Sequence, residues 1–221
     1  DSSKFDINQE NVNTTQKIRV DLNNNNFYFN SSYKGVFGTN WQITSGLSYG
    51  YSTNKIKLDL DDVANDENAA HLKLKFKKSF SDRIKLSFGG DYFITKFNEE
   101  YNPNVGNSAL LGYNSNIAAA FTEADIFFSK KLAAKVGFRV SNNSLLDETA
   151  IAPRFSLAYK VAKSSQFSVA YGDFTQTPKS DYIKYSKFYQ FESEKAAHYI
   201  LNYQYNKNGK TLIAEAYYKD Y

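Results

Sequence analysis

The chain has 221 residues, a net charge of +4, 17% aromatic residues and no cysteine, with a mean hydropathy of −0.57. The missing cysteine excludes a disulfide framework and a thiolate metal site. No apolar run reaches the roughly 18 residues that a transmembrane helix needs, so any membrane crossing has to be made by strands closed into a barrel.

Met is also absent, even at position 1, so the sequence is expected to begin after processing or inside a longer chain. No secretory apolar region stands in Asp1 to Glu10. From about residue 27 a two-residue period sets in. In Gln42 to Asn54, Ile43, Leu47, Tyr49 and Tyr51 share one face with Ser45 as its one polar member, while Gln42, Thr44, Gly46, Ser48, Gly50 and Ser52 share the other. Leu72, Leu74 and Phe76 then oppose His71, Lys73, Lys75 and Lys77. This is strand periodicity, and it removes the densest basic stretch as a nucleic-acid patch. Ile84, Leu86, Phe88, Tyr92 and Ile94 oppose Arg83, Lys85, Ser87, Gly89, Asp91 and Thr95, with Phe93 the exception on the polar side. Val136, Phe138 and Val140 oppose Lys135, Gly137 and Arg139, and Phe155, Leu157 and Tyr159 oppose Arg154, Ser156 and Lys160. Phe167, Val169 and Tyr171, and later Tyr199, Leu201, Tyr203 and Tyr205, continue the pattern to the last hairpin, with Ile200 breaking it.

Short turns are expected at 38–40, 79–82, 130–133, 162–165 and 206–209, the last with an Asn-Gly signal. Long polar connections are expected between them, at Asp61 to Ala70, Asn98 to Ser115, Asn142 to Pro153 and Phe174 to Glu194. Short turns at one end and long loops at the other are the habit of outer-membrane barrels. The expected fold class is all-β, an antiparallel transmembrane β-barrel segment of about 10–11 strands. The small polar residues of the second face fit a lumen wider than that of a narrow, side-chain-filled barrel.

From Ala152 onward the sequence resembles the C-terminal barrel region of TonB-dependent outer-membrane receptors. Ala152-Pro-Arg-Phe-Ser-Leu-Ala-Tyr159 is similar to that family's Pro-Arg-hydrophobic strand. Phe167-Ser-Val-Ala-Tyr-Gly-Asp-Phe-Thr-Gln-Thr-Pro178 is similar to its strand-to-loop element. Phe191-Glu-Ser-Glu-Lys195, followed by Tyr199 to Tyr205, resembles its Pro-Glu-Lys element and the next strand. Glu192-Ser-Glu194 stands where the family often has Pro-Glu. The Asn-, Lys- and Tyr-rich style resembles receptors of Bacteroidota-type bacteria. The resemblance implies a barrel of about 22 strands around an N-terminal plug, energised through TonB, with residues 1–221 as a partial barrel region. It also implies an accessory surface lipoprotein as a partner. It implies a scarce solute such as an iron chelate, an oligosaccharide or a peptide, and outer-membrane lipid around the barrel. Neither nucleic acid nor a cofactor is expected.

No enzyme is expected. His71 and His198 stand far apart and read as lumen-facing strand residues. Asp59, Asp61, Asp62, Asp66 and Glu67 read as a solvated loop that lacks the spacing of a calcium motif. Glu99-Glu100, Glu123-Asp125 and Glu192-Glu194 read as lumen or loop charge. The expected ligand contacts are the aromatics of the long loops, Tyr101, Tyr113, Phe174, Tyr182, Tyr185, Phe188 and Tyr189. Two other readings remain open: a passive porin or structural barrel subunit, and a soluble glycan-binding sandwich. The sandwich requires the Ile84/Leu86/Phe88 face to pack on a second sheet.

Overall fold

A computed structural model describes residues 2–10 and 17–221, with the backbone alone for 2–10 and 17–19. It contains one sheet of eleven strands in sequence order, every neighbouring pair antiparallel. The strands are β1 (Ser2–Glu10), β2 (Lys17–Phe37), β3 (Trp41–Leu58), β4 (Asp61–Ser79), β5 (Ile84–Asn102), β6 (Ala109–Phe127), β7 (Leu132–Asn143), β8 (Glu148–Ala162), β9 (Ser165–Gln176), β10 (Glu194–Lys207) and β11 (Lys210–Asp220). One short helix, α1 (Ser180–Ile183), lies between β9 and β10.

The alternation read from the sequence sets the two faces. Outward residues align across the strands: Leu72 opposite Tyr92, Tyr92 opposite Ala118, Val136 opposite Phe155, and Tyr171 opposite Tyr199. This face is uncovered, with Leu72 54% and Phe138 52% exposed. The buried apolar side chains among the described residues are Phe97, Ala134, Ala152 and Ile183. A sandwich would bury one whole face of its sheet. Ile84 at 47% and Phe88 at 37% exposed, with no second sheet among the described residues, overturn the glycan-binding sandwich.

On β5 the outward apolar band runs from Ile84 to Ile94. Ten residue rises cover about 33 Å of strand, or about 25 Å of height at the tilt of a barrel strand, which matches a membrane's hydrocarbon layer. Aromatic belts bound it. Phe37 stacks on Trp41 at 5.7 Å and Trp41 meets Phe88 edge-on at 6.2 Å near the short turns. Tyr171, Tyr199 and Tyr218 form a row at 5.1 and 6.0 Å towards the other end. No helix among the described residues is long and apolar enough to cross a membrane, a fact that does not bear on strands.

The expected short turns fall at 38–40, 80–83, 128–131, 163–164 and 208–209. Asn208 and Gly209 both have positive φ, 53° and 74°, as a two-residue hairpin requires. Three of the four long connections need correction. The segment 61–70 is strand, and β3 joins β4 through Asp59 and Leu60 alone. The segments 98–115 and 142–153 shrink to loops at 103–108 and 144–147. The reason is physical: above the apolar band both faces of a strand meet water, so the hydrophobic period disappears while backbone pairing continues. The fourth expectation holds, as residues 177–193 form a long loop around α1.

Candidate functional site

The loop 177–193 does not stand out into solvent. It leans across the inner face, and a step in strand length explains where it goes. The last β7 residue, Asn143, pairs with Ile117, leaving residues 109–116 of β6 without a β7 neighbour. An uncovered strand edge invites further pairing, and the loop occupies part of that place. Gly112 N–H donates to the Lys184 carbonyl at 3.3 Å, while Ser144 N–H donates to the Asn116 carbonyl at 2.9 Å. Gly112 has φ +150°, and a Cβ there would strike the backbone of Phe97, so a side chain is excluded at this approach.

Side chains lock the loop down. Ile183 is fully buried. Tyr113 stacks on Phe97 with ring centres 5.6 Å apart, and its hydroxyl lies 2.9 Å from Ser180 Oγ. Lys184 Nζ donates to both oxygens of Glu99, at 2.8 and 2.9 Å, with the two side chains only 14% and 12% exposed. Burial by itself would lower the pKa of this ammonium, but the hydrogen bond and charge of Glu99 outweigh it and hold Lys184 above its ordinary value. At the loop's roots Asn143 Nδ2 donates to Thr177 Oγ1 at 3.0 Å, and Ser193 N–H donates to Glu148 at 2.9 Å. Glu148, above the apolar band, is drawn down to about 2 by that backbone hydrogen bond first, then by the Ser193 side chain and Lys195. Lys195 Nζ stands 3.0 Å from the carboxylate.

At the roots of the loop lies a hollow of about 320 Å³, lined among others by Phe93, Ile117, Arg139, Ser141, Asn143 and Thr177. Its floor continues into fixed charge on the inner wall. Asp91, with its side chain 5% exposed, accepts from Arg139 and lies 3.2 Å from His71 Nε2 and 3.9 Å from Lys73. The His71 ring stacks on Phe93 at 3.8 Å. Closer to the short turns Asp125 meets Lys77 at 3.0 Å and Lys135 at 3.3 Å, and Glu123 stands 4.0 Å from Lys135. Both histidines therefore sit on the inner face as read from the sequence, His198 with its ring 4.6 Å from Phe174.

The expected ligand aromatics separate into two groups. Tyr182, Tyr185, Phe188 and Tyr189 lie on the docked loop and are 61%, 38%, 68% and 67% exposed. Tyr101, Tyr113 and Phe174 are strand residues of β5, β6 and β9, not loop residues. Tyr113 is spent on holding the loop, and Phe174 carries Arg154 over its ring at 4.8 Å. Of the acidic group, Asp59 lies in the turn at φ 53° while Asp61, Asp62, Asp66 and Glu67 belong to β4. Sequence reasoning missed Lys184, Glu99 as its partner, and Ile183. Their 85-residue separation leaves no local signal. The assembled site offers exposed ring faces on a docked loop, a cavity at that loop's roots, and hydrogen-bond donors and fixed charges down the inner wall, which equips it to bind and guide a solute.

No family model matches the sequence, and no curated protein matches it. Solved structures do. The alcaligin outer membrane receptor FauA from Bordetella pertussis superposes with a TM-score of 0.71 at 11% identity, over 98% of this chain and 38% of that one. The ferric yersiniabactin uptake receptor FyuA from Yersinia pestis gives 0.63 at 13% identity, over 92% of this chain and 36% of that one. The siderophore receptor PirA from Acinetobacter baumannii gives 0.68 at 11%, over 92% and 34%. The chain thus has the fold of a section of these barrels and spans a little over a third of their length.

Proposed function

We propose that residues 1–221 form part of the barrel wall of an outer-membrane receptor that takes up a scarce solute with energy delivered through TonB. The observation that carries this reading is the loop 177–193 docked across the inner face through Lys184 and Glu99, with four exposed aromatic rings on it and a hollow at its roots. In this reading Tyr182, Tyr185, Phe188 and Tyr189 meet the solute first, and Tyr101 and Phe174 stand at the margin of the same mouth. The remaining strands close the barrel and a plug fills it, because an open sheet would expose unpaired edges to lipid. Transport, not catalysis, is the activity. The solute class is that of iron chelates, oligosaccharides or peptides, with a surface lipoprotein as the accessory partner.

The test is made on the full gene. Cells expressing it should place a heat-modifiable band in the outer membrane and accumulate a labelled solute from such a panel only while the proton-motive force stands. A passive porin is the second reading, favoured by the small inner-face residues Gly46, Ser48 and Gly50. Accumulation that survives a protonophore would replace the receptor with the porin.

A further inference from the structure

The two ends of the sheet carry opposite charge. Counting turn residues and the three strand residues on either side, the β2–β3, β4–β5, β6–β7, β8–β9 and β10–β11 turns hold ten Lys or Arg against two acids, Asp82 and Asp125. Counted the same way, the connections at the other end that join β3–β4, β5–β6, β7–β8 and β9–β10 hold five basic against nine acidic residues. Asp125 is moreover already engaged by Lys77 and Lys135.

The basic end lies where the apolar band stops. Lys78 faces outward opposite Trp41, and its ammonium rests over the rings of Trp41 and Phe80 at 4.8 and 5.0 Å. Lys207 and Lys210, both exposed and both outward, stand directly opposite each other across the last turn. A like-charge pair in that position is destabilising unless an anion lies between or beside it. The turns connect into one rim: Phe127 N–H donates to the Arg83 carbonyl at 2.8 Å, and Lys160 N–H to the Lys131 carbonyl at 2.8 Å.

We infer that this rim binds the phosphate of anionic phospholipid headgroups in the leaflet around the short turns. The inference rests on the membrane reading proposed above. Cations stacked on girdle rings at the edge of the apolar band are at headgroup height, which favours lipid over a polymer lying deeper in the periplasm. Each basic side chain at a membrane surface strengthens such binding by about five-fold.

The experiment uses the full-length polypeptide in mixed micelles, offering phosphatidylglycerol and phosphatidylcholine of matched chains and counting retained lipid by native mass spectrometry. Wild type should prefer phosphatidylglycerol, and Lys78→Gln/Lys207→Gln/Lys210→Gln should lose that preference by about five-fold or more. Lys207→Gln/Lys210→Gln serves as the milder variant, with a smaller loss in the same direction. Equal retention of both lipids by wild type, or an undiminished preference in both variants, overturns the inference. Co-sedimentation with peptidoglycan without lipid preference overturns it too and assigns the rim to the cell wall. Heat-modifiable mobility separates the failures: an indifferent but heat-modifiable wild type sinks the rim alone, while a wild type without that band sinks the barrel reading with it.

Discussion

Replacing Glu99 with Gln removes the charge that holds Lys184, and with it the loop, against β5. An exposed ion pair contributes under about 1 kcal/mol, and breaking a fully buried one costs about 3–5. With the two side chains 14% and 12% exposed and both carboxylate oxygens engaged, Glu99→Gln should cost about 2 kcal/mol of loop docking. That is roughly 30-fold in the ratio of docked to released loop. Hydrogen exchange reads the ratio directly at the Gly112 amide, bonded to the Lys184 carbonyl, and at the amides of Lys184 and Ser186, bonded to Ser180 and Ile183. All three should exchange faster by a similar factor, while amides in the β3–β4 ladder keep their protection. Removing both charges with Glu99→Gln/Lys184→Met should restore part of the loss, because no charge is then left buried alone. If the Glu99→Gln exchange rates stay within about two-fold of wild type, the pair does not hold the loop and the reasoning fails.

Ile183→Ala should loosen the same loop by about 3 kcal/mol, seen as faster exchange over 177–193, with the detergent-gel unfolding temperature of the sheet unchanged. Acid should free the loop's far root. Glu148 is lowered from 4.5 to about 2 in the folded protein, so its contribution is complete above about pH 4.5 and fades as the pH falls towards about 2; exchange of the Ser193 amide against pH checks this. Lys184 lies the other way. Its raised pKa means its contribution is complete below its ordinary value and disappears only as the pH climbs through the raised one. On the outer face Leu74→Arg should cost about 2–4 kcal/mol, being near the middle of the apolar band, whereas Thr44→Arg on the inner face should be tolerated. The yield of heat-modifiable barrel measures both.

Legibility in the sequence followed the membrane. Where lipid meets one face, as from Ile84 to Ile94, the two-residue period gives strand, face and register together. Above that band Asp62, Asp66, Asn68 and Lys96 point outward into water, and nothing in their chemistry distinguishes a paired strand from a loop. That is why 61–70 reads as a connection and is a strand. The candidate site was half legible for a related reason. Aromatic rings in a Pro-flanked polar stretch are visible locally, so Tyr182 to Tyr189 could be named. Lys184 and Glu99 meet only because β6 outruns β7, a difference of strand length that no residue type records.

The tall strands β2 to β6 have a further consequence. Their upper halves are polar on the outer side and carry only a sparse apolar row inside, Leu22, Ile56, Val63 and Tyr101, and so have less of their own to fix alignment. The apolar band below must set it for them, as a keel sets the line of a mast. A substitution at Phe88 or Leu74 that let β5 slip by one residue against its neighbours would therefore be felt far above the membrane. It would turn Glu99 outward, away from Lys184, and cast off a loop that the substituted residue never touches.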